Sequence, residues 1–163
     1  TGPVSGPGRQ LAALANALRP HGVDLLVVMF NRVGRPHPPY ARYLEEAGVP
    51  HWVVPERGPF DLRLARELRE RLAGWGPDVV QTHSYKTTVH GWLMRRLGAR
   101  WPWVAFFHGA TTENWKVRAY NWVDRRLLVR GDRLVLMSET HRRDFRHVAP
   151  HARVIHNAPI PLP

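Results

Sequence analysis

The sequence contains no cysteine. Disulfides and thiolate metal sites are therefore excluded, and the composition fits a reducing cytoplasm. It also has no apolar run of the roughly 18 residues that a membrane-spanning helix needs. The opening "TGPVSGPGRQ" has neither the basic nor the apolar region of a signal peptide. Several chemical signatures are missing as well. There is no G-x-G-x-x-G dinucleotide fingerprint and no P-loop, so neither NAD nor ATP binding is expected. There is no G-x-S-x-G elbow to anchor a Ser-His-Asp triad. No H-E-x-x-H occurs among the 10 histidines, and His147 and His151, although four apart, straddle Pro150. No protein-held metal is expected. Helix-turn-helix, RNP and zinc-finger signatures are absent, and the basic residues are spread along the chain, so no nucleic-acid partner is expected.

Acidic charge is scarce too. Thirteen Asp and Glu face 24 Lys and Arg, a net charge of +11. Lysine is nearly absent: Lys86 and Lys116 are the two, and the rest of the basic set is arginine. Such a balance suits either a solvated surface or an anionic partner: phosphate groups, nucleic acid or an acidic membrane. What is plentiful is core material. Hydrophobic residues make up 44% of the 163, enough for one ordinary domain with a single substantial core.

Short apolar runs alternate with helical patterns. "VDLLVVMF" (23–30), "HWVV" (51–54), "DVVQTH" (78–83), "WVAFFH" (103–108), "RLVLMS" (133–138) and "ARVIHN" (152–157) read as strands. Most are apolar throughout, as parallel strands covered on both faces are. Helices are expected over 8–19, 38–47, 61–74, 85–97, 114–130 and 139–147. The first carries Leu11, Leu14, Ala15 and Leu18 at helical spacing, and the third carries Leu64, Ala65, Leu68 and Leu72. The alternation predicts an α/β fold, a Rossmann-like open and mainly parallel sheet flanked by helices. A glycine-rich turn feeding a helix normally follows a strand, so a central first strand is expected upstream of the first residue.

Ligands of such sheets bind beyond the carboxyl ends of the strands, and polar residues collect there. One run ends in His83-Ser84-Tyr85-Lys86 and the next in His108-Gly109-Ala110-Thr111-Thr112. The following two end in Ser138-Glu139-Thr140 and in His156-Asn157. Parallel strands would bring all four clusters to one edge. The opening adds Gly2, Gly6 and Gly8 ahead of a helix. Glycines allow close backbone approach, and a helix start offers N–H groups and a positive dipole end to a diphosphate or an anionic acceptor.

These stretches, in order, resemble the N-terminal domain of the GT-B glycosyltransferases, specifically the retaining family 4 (glycosyl transferases group 1). "SGPGRQLAALANAL" is similar to the family's "GGAERQLLxLAxxL". "PDVVQTHSYKTTVHGWLMRRLG" is similar to "PDVVHTHxxKAxxxGxLAARLxG", and "VAFFHGAT" to "VxTxHG". "GDRLVLMSET" matches "ADRVVAVSEA", and "RVIHNAPI" matches "RVIPNGVD". The resemblance spans essentially the whole chain. It departs from the pattern at Pro7 and Gly8, where the family often has glutamate after its glycine pair, and at His156 and Ala158.

The resemblance implies one half of a two-domain enzyme. Residues 1–157 would be the acceptor-side domain and 158–163 the start of an interdomain linker. The domain that binds the nucleotide, with its E-x7-E motif, is not in this chain and would be its partner. It implies His108 as the catalytic-site residue beside the transferring sugar. Gly6, Gly8, His83, Lys86, Gly109, Thr111, Ser138, Glu139 and Asn157 are implied as substrate- or diphosphate-binding. A nucleotide-sugar would be the donor, with no separate cofactor, and a sugar or lipid-linked hydroxyl the acceptor, in polysaccharide or glycolipid biosynthesis. Such a protein is expected in the cytoplasm or at the inner face of the membrane. An anionic membrane surface is a further partner suggested by "WKVRAYNWVDRRLLVR" (115–130), where tryptophans mix with arginines. Three rivals stand beside this reading: a non-catalytic acceptor-binding module of the same fold, a nucleotide-sugar 2-epimerase, and a basic nucleic-acid-binding domain.

Overall fold

A computed structural model describes residues 4–58, 61–109, 115–145, 149 and 152–156. All six expected helices and all six expected strands form, in the expected order. The strands are parallel and hydrogen-bond as two sheets, one in each of two compact units.

In the first unit, residues 4–58, helix α1 (Gly6–Leu18) leads through a short 3₁₀ turn (Arg19–His21) to Gly22, whose φ of 74° ends it. Strand β1 (Val27–Arg32), helix α2 (Pro39–Glu46) and strand β2 (His51–Glu56) follow. β1 and β2 run parallel in the register Val27↔His51 to Arg32↔Glu56. β1 begins four residues later than the apolar run did, because Val27 is the first residue opposite β2, and Val23 is left exposed. The core is Ala12, Ala15, Val27, Leu44 and Val49, with Tyr40 and Tyr43 packed on it. The buried face of α1 is Gly8, Ala12 and Ala15, and Leu14 is 41% exposed. Small residues, rather than the leucines, set that face because they let the helix backbone come close to its neighbours. Asn16 of α1 and Arg19 of the 3₁₀ turn hold the end of α2, donating to the carbonyls of Ala47 and Gly48 at 3.1 and 2.7 Å.

The second unit begins with α3 (Leu62–Trp75), started by Asp61, whose carboxylate accepts from the N–H groups of Arg63 and Leu64. Leu64, Ala65, Leu68 and Leu72 are buried, as their spacing predicts, and Gly76 ends the helix in the left-handed region. β3 (Val80–Thr82), α4 (Tyr85–Arg96), β4 (Trp103–Phe107), α5 (Trp115–Leu128), β5 (Arg133–Leu136), α6 (Glu139–Phe145) and β6 (Arg153–Val154) follow. The sheet order is β3-β4-β5-β6. Each neighbour is also the next strand in the chain, and each connection that crosses over carries a helix up to β6. The core packs Trp103, Ala105 and Phe107 of β4 with Leu134 and Leu136 of β5, Leu128 of α5 and Phe145 of α6.

One network fixes the amino ends of these strands. The Asp132 carboxylate accepts from both terminal nitrogens of Arg95, and from the Trp103 N–H at 2.7 Å. The Arg95 hydrogen bond, with smaller help from Trp103 and Arg133, holds the Asp132 carboxyl below its usual range. The indole of Trp103 donates to Thr82 at 2.9 Å, tying β4 to β3. Gly91 of α4 lies directly over this ring, since a Cβ there would come within 3.0 Å of the indole. The glycine at position 91 thus lets helix α4 seat closely on Trp103, where a side chain would crowd the indole and the Thr82 methyl.

Candidate functional site

Because β3, β4 and β5 are adjacent and parallel, whatever follows each strand emerges at the same edge. His83 lies one residue beyond β3, His108 one residue beyond β4 and Ser138 two residues beyond β5. The His83 Nδ1 lies 3.1 Å from the His108 Nε2. On its other side the His83 Nε2 lies 3.3 Å from the Gln81 Oε1. The His83 ring is stacked on Phe106 with centroids 4.4 Å apart, and its backbone N–H donates to Thr87 at 3.1 Å. Ring plane and backbone are both held.

The turn after His108 is constrained. Gly109 has φ of 100°, a conformation that L side chains rarely adopt. A Cβ there would meet the His141 ring at 3.3 Å. His141 is the third member of the cluster. It sits in the first turn of α6, where its N–H donates to Ser138 Oγ at 3.2 Å, and its ring stands edge-on to Phe107 at 5.0 Å. Ser138 thus works by starting α6 and placing His141. Glu139 points elsewhere: it makes a largely exposed pair with Arg142 at 3.5 Å, which contributes little. Lys86 lies in the first turn of α4, half-buried, behind a capping box made by Ser84 and Thr87. Thr111 and Asn157, also expected at this edge, lie outside the described residues.

Burial, reinforced by His108, lowers the pKa of His83 to about 4. Burial, reinforced by His141, lowers that of His108 as well. Both rings are consequently neutral near pH 7. The Nδ1 atoms of His108 and His141 are buried and have no hydrogen-bond partner. Neutral His108, with its Nδ1 to spare, can hydrogen-bond a hydroxyl-bearing ligand without the cost of burying a charge. Among the described residues no group of three or more His, Asp or Glu is arranged to hold a metal ion.

The glycine-rich start sits in the first unit. Gly6 and Gly8 are not a loop ahead of the helix but its first turn, capped by Ser5. Of the first three amides, Pro7 has no N–H and the Gly8 N–H goes to Ser5 Oγ at 3.3 Å. Only that of Gly6 remains for an anion. Gly8 is buried against Tyr40, whose hydroxyl donates to its carbonyl at 2.8 Å, and a Cβ there would touch that ring at 3.0 Å. Packing within the first unit therefore accounts for Gly8, while Gly6 faces open space.

His141, Gln81 and Phe106 are contacts of this site that the strand-end pattern did not single out. The sequence does show Ser138 three residues ahead of His141, the spacing at which a helix-starting serine accepts from a backbone N–H, as it does here.

A family model described as a glycosyl transferase 4-like domain matches residues 5–158. No curated protein sequence matches the chain. Among solved structures, a glycosyltransferase from Rickettsia africae is similar at 16% identity and a TM-score of 0.68, covering 93% of this chain and 39% of that one. Anabaena HepE in complex with UDP is similar at 19% identity and a TM-score of 0.73, covering 96% of this chain and 42% of that one. The same protein with UDP and glucose gives 18% identity and a TM-score of 0.70, with coverage of 96% and 42%. The chain thus spans about two fifths of the length of these structures and shares their fold. With nearly its whole length matched, the chain belongs to the glycosyl transferase 4-like domain family.

Proposed function

We propose that the chain is the acceptor-side half of a retaining glycosyltransferase, moving a sugar from a nucleotide-sugar to a hydroxyl of a sugar or lipid-linked acceptor. The observation that carries this reading is the histidine cluster: His83, His108 and His141 gathered at the carboxyl ends of adjacent parallel strands, His83 and His108 neutral, and the Nδ1 atoms of His108 and His141 buried and unpaired. The complexes of HepE with UDP and with UDP and glucose support a nucleotide-sugar as the donor class. The donor would be held between this chain and a second domain that grips the nucleotide.

In the reaction an acceptor hydroxyl attacks the anomeric carbon as the bond to the diphosphate breaks, on the same face, so that configuration is retained. Negative charge builds on the departing diphosphate, and donors already fixed in place stabilise it without reorganising. His108, neutral and at the strand edge, would hydrogen-bond the transferring sugar or the acceptor and hold the acceptor hydroxyl on the leaving-group face of the anomeric carbon. His108→Ala in the full-length protein, assayed with UDP-sugar donors, is expected to lower turnover by roughly 10²–10⁴-fold. Near-normal turnover by a folded variant would remove His108 from the reaction.

A membrane-bound acceptor fits one surface feature. Trp115 and Trp122 of α5 are 74% and 58% exposed, and the Arg126 guanidinium lies 4.2 Å from the centre of the Trp122 ring. Arg125 instead turns toward Phe107 and Phe145, so the exposed part of the helix is aromatic and basic together. Sedimentation with anionic vesicles is expected to exceed that with neutral ones, and to fall in Trp122→Ala. Equal sedimentation with both at low salt would dismiss the membrane.

A further inference from the structure

A histidine that meets a ligand has two different nitrogens, and the protein must settle which one carries the proton. Here a short chain of hydrogen bonds settles it. With the Gln81 Oε1 facing it as an acceptor, the His83 Nε2, 3.3 Å away, is the nitrogen that carries the proton and donates it. A neutral His83 then has a bare Nδ1. That nitrogen accepts from the His108 Nε2–H at 3.1 Å. His108, neutral in turn, is left with a bare Nδ1, and this is the atom that lies buried without a partner.

We propose that Gln81 and His83 are positioning residues that fix His108 in a single tautomer, with Nε2 protonated and Nδ1 a bare acceptor. Phe106 keeps the relay aligned by stacking on the His83 ring, and Thr87 anchors the His83 backbone. The consequence for recognition is one of sign. A bare Nδ1 takes a group that has a proton to give, such as a sugar hydroxyl. It repels a phosphate or carboxylate oxygen, which has none. The relay rests on the reading of His108 as the ligand-facing group, but its tautomer can be observed with no ligand and no turnover. Failure of the relay and failure of the transferase reading are therefore separate results.

The test is nitrogen NMR of the full-length protein labelled with ¹⁵N-histidine, near pH 7.5, with His83 and His108 assigned from the His83→Gln and His108→Gln spectra. The expected result is one tautomer at each ring: Nε2 protonated and Nδ1 bare. Gln81 is exposed, so replacing it does not open the core. Gln81→Leu removes the acceptor and is expected to release both rings into mixed tautomers. Gln81→Glu, which can only accept, keeps the wild-type pattern. A proton on the Nδ1 of His108 in the wild-type protein, or unchanged tautomers in Gln81→Leu, would overturn the relay.

Discussion

The two places where the sequence points to a ligand, the start of α1 and the carboxyl ends of β3 to β5, behave differently once folded. At the start of α1 most of the hydrogen-bonding capacity is consumed internally, the Gly6 N–H aside. Ser5 takes the Gly8 N–H, Tyr40 takes the Gly8 carbonyl, and Pro7 has no N–H to offer. At the strand ends capacity is left over. His83 and His108 share one hydrogen bond, and two imidazole nitrogens stay buried and unpaired. A folded chain that leaves polar atoms unsatisfied accepts roughly 1–3 kcal/mol for each. The contrast separates a glycine whose surroundings are filled by packing from histidines that keep unpaired nitrogens, although both read as site residues in the sequence.

The largest expected way to probe that contrast is acid. With a folded pKa of about 4 against an ordinary value of 6.5, the unfolded chain takes up the His83 proton first. The stability that neutral His83 carries is therefore complete above about pH 6.5 and is lost progressively as pH falls toward 4. Over that window the wild-type protein is expected to lose more stability than His83→Gln. The difference in slope is bounded by one proton, about 1.4 kcal/mol per pH unit. Denaturant midpoints at pH 7, 6, 5 and 4 measure it. Parallel curves for the two proteins would mean that His83 is solvated and that the cluster is no special environment. At the start of α1 the ionisable group packed on the turn is Tyr40, whose pKa burial raises to about 12, so no comparable acid response is expected from Gly6 or Gly8 substitutions.

Most of the fold was legible because parallel strands and amphipathic helices print their periods on the sequence. Leu64, Ala65, Leu68 and Leu72 are buried as their spacing says. The misreadings fall where the period is ambiguous. In α1, leucines and alanines occupy overlapping stripes, and burial went to the small residues because close approach of the backbone outweighed side-chain size. Strand β1 starts at Val27 because pairing, which depends on a partner 24 residues away, sets where an apolar run becomes a strand. In the site, chain order and parallel pairing brought His83 and His108 together, as the strand ends implied. What the pattern could not show was allegiance. Ser138 and Glu139 look like site residues, yet one caps α6 and the other pairs with Arg142 at the surface. His141 looks like part of a helix and reaches the site. Which way a side chain turns from a helix start depends on the cap and on the neighbouring aromatic ring, here Phe107, contacts that exist only in the folded unit.

The smallest effect tests the other side of the contrast. Gly6 and Gly8 are both in the first turn of α1, neither has positive φ, and alanine is favoured over glycine in a helix by up to about 1 kcal/mol. On propensity alone, both Gly→Ala changes would stabilise. The surroundings separate them. Nothing lies within 4 Å of a Cβ at Gly6, whereas a Cβ at Gly8 would meet the Tyr40 ring at 3.0 and 3.1 Å and Ser5 Oγ at 3.3 Å. The ring is not free to yield, because its hydroxyl is bonded to the Gly8 carbonyl and it packs on the core of the first unit. Gly6→Ala is therefore expected to be neutral or to gain a few tenths of a kcal/mol. Gly8→Ala is expected to lose about 1 kcal/mol, the overpacking cost exceeding the gain in propensity. In a Tyr40→Ala background the Gly8→Ala penalty should vanish, which makes the pair a double-mutant cycle read by urea denaturation. If Gly8→Ala cost nothing while a nucleotide-sugar bound less tightly, the glycine would belong to the ligand after all, and the two regions would be alike.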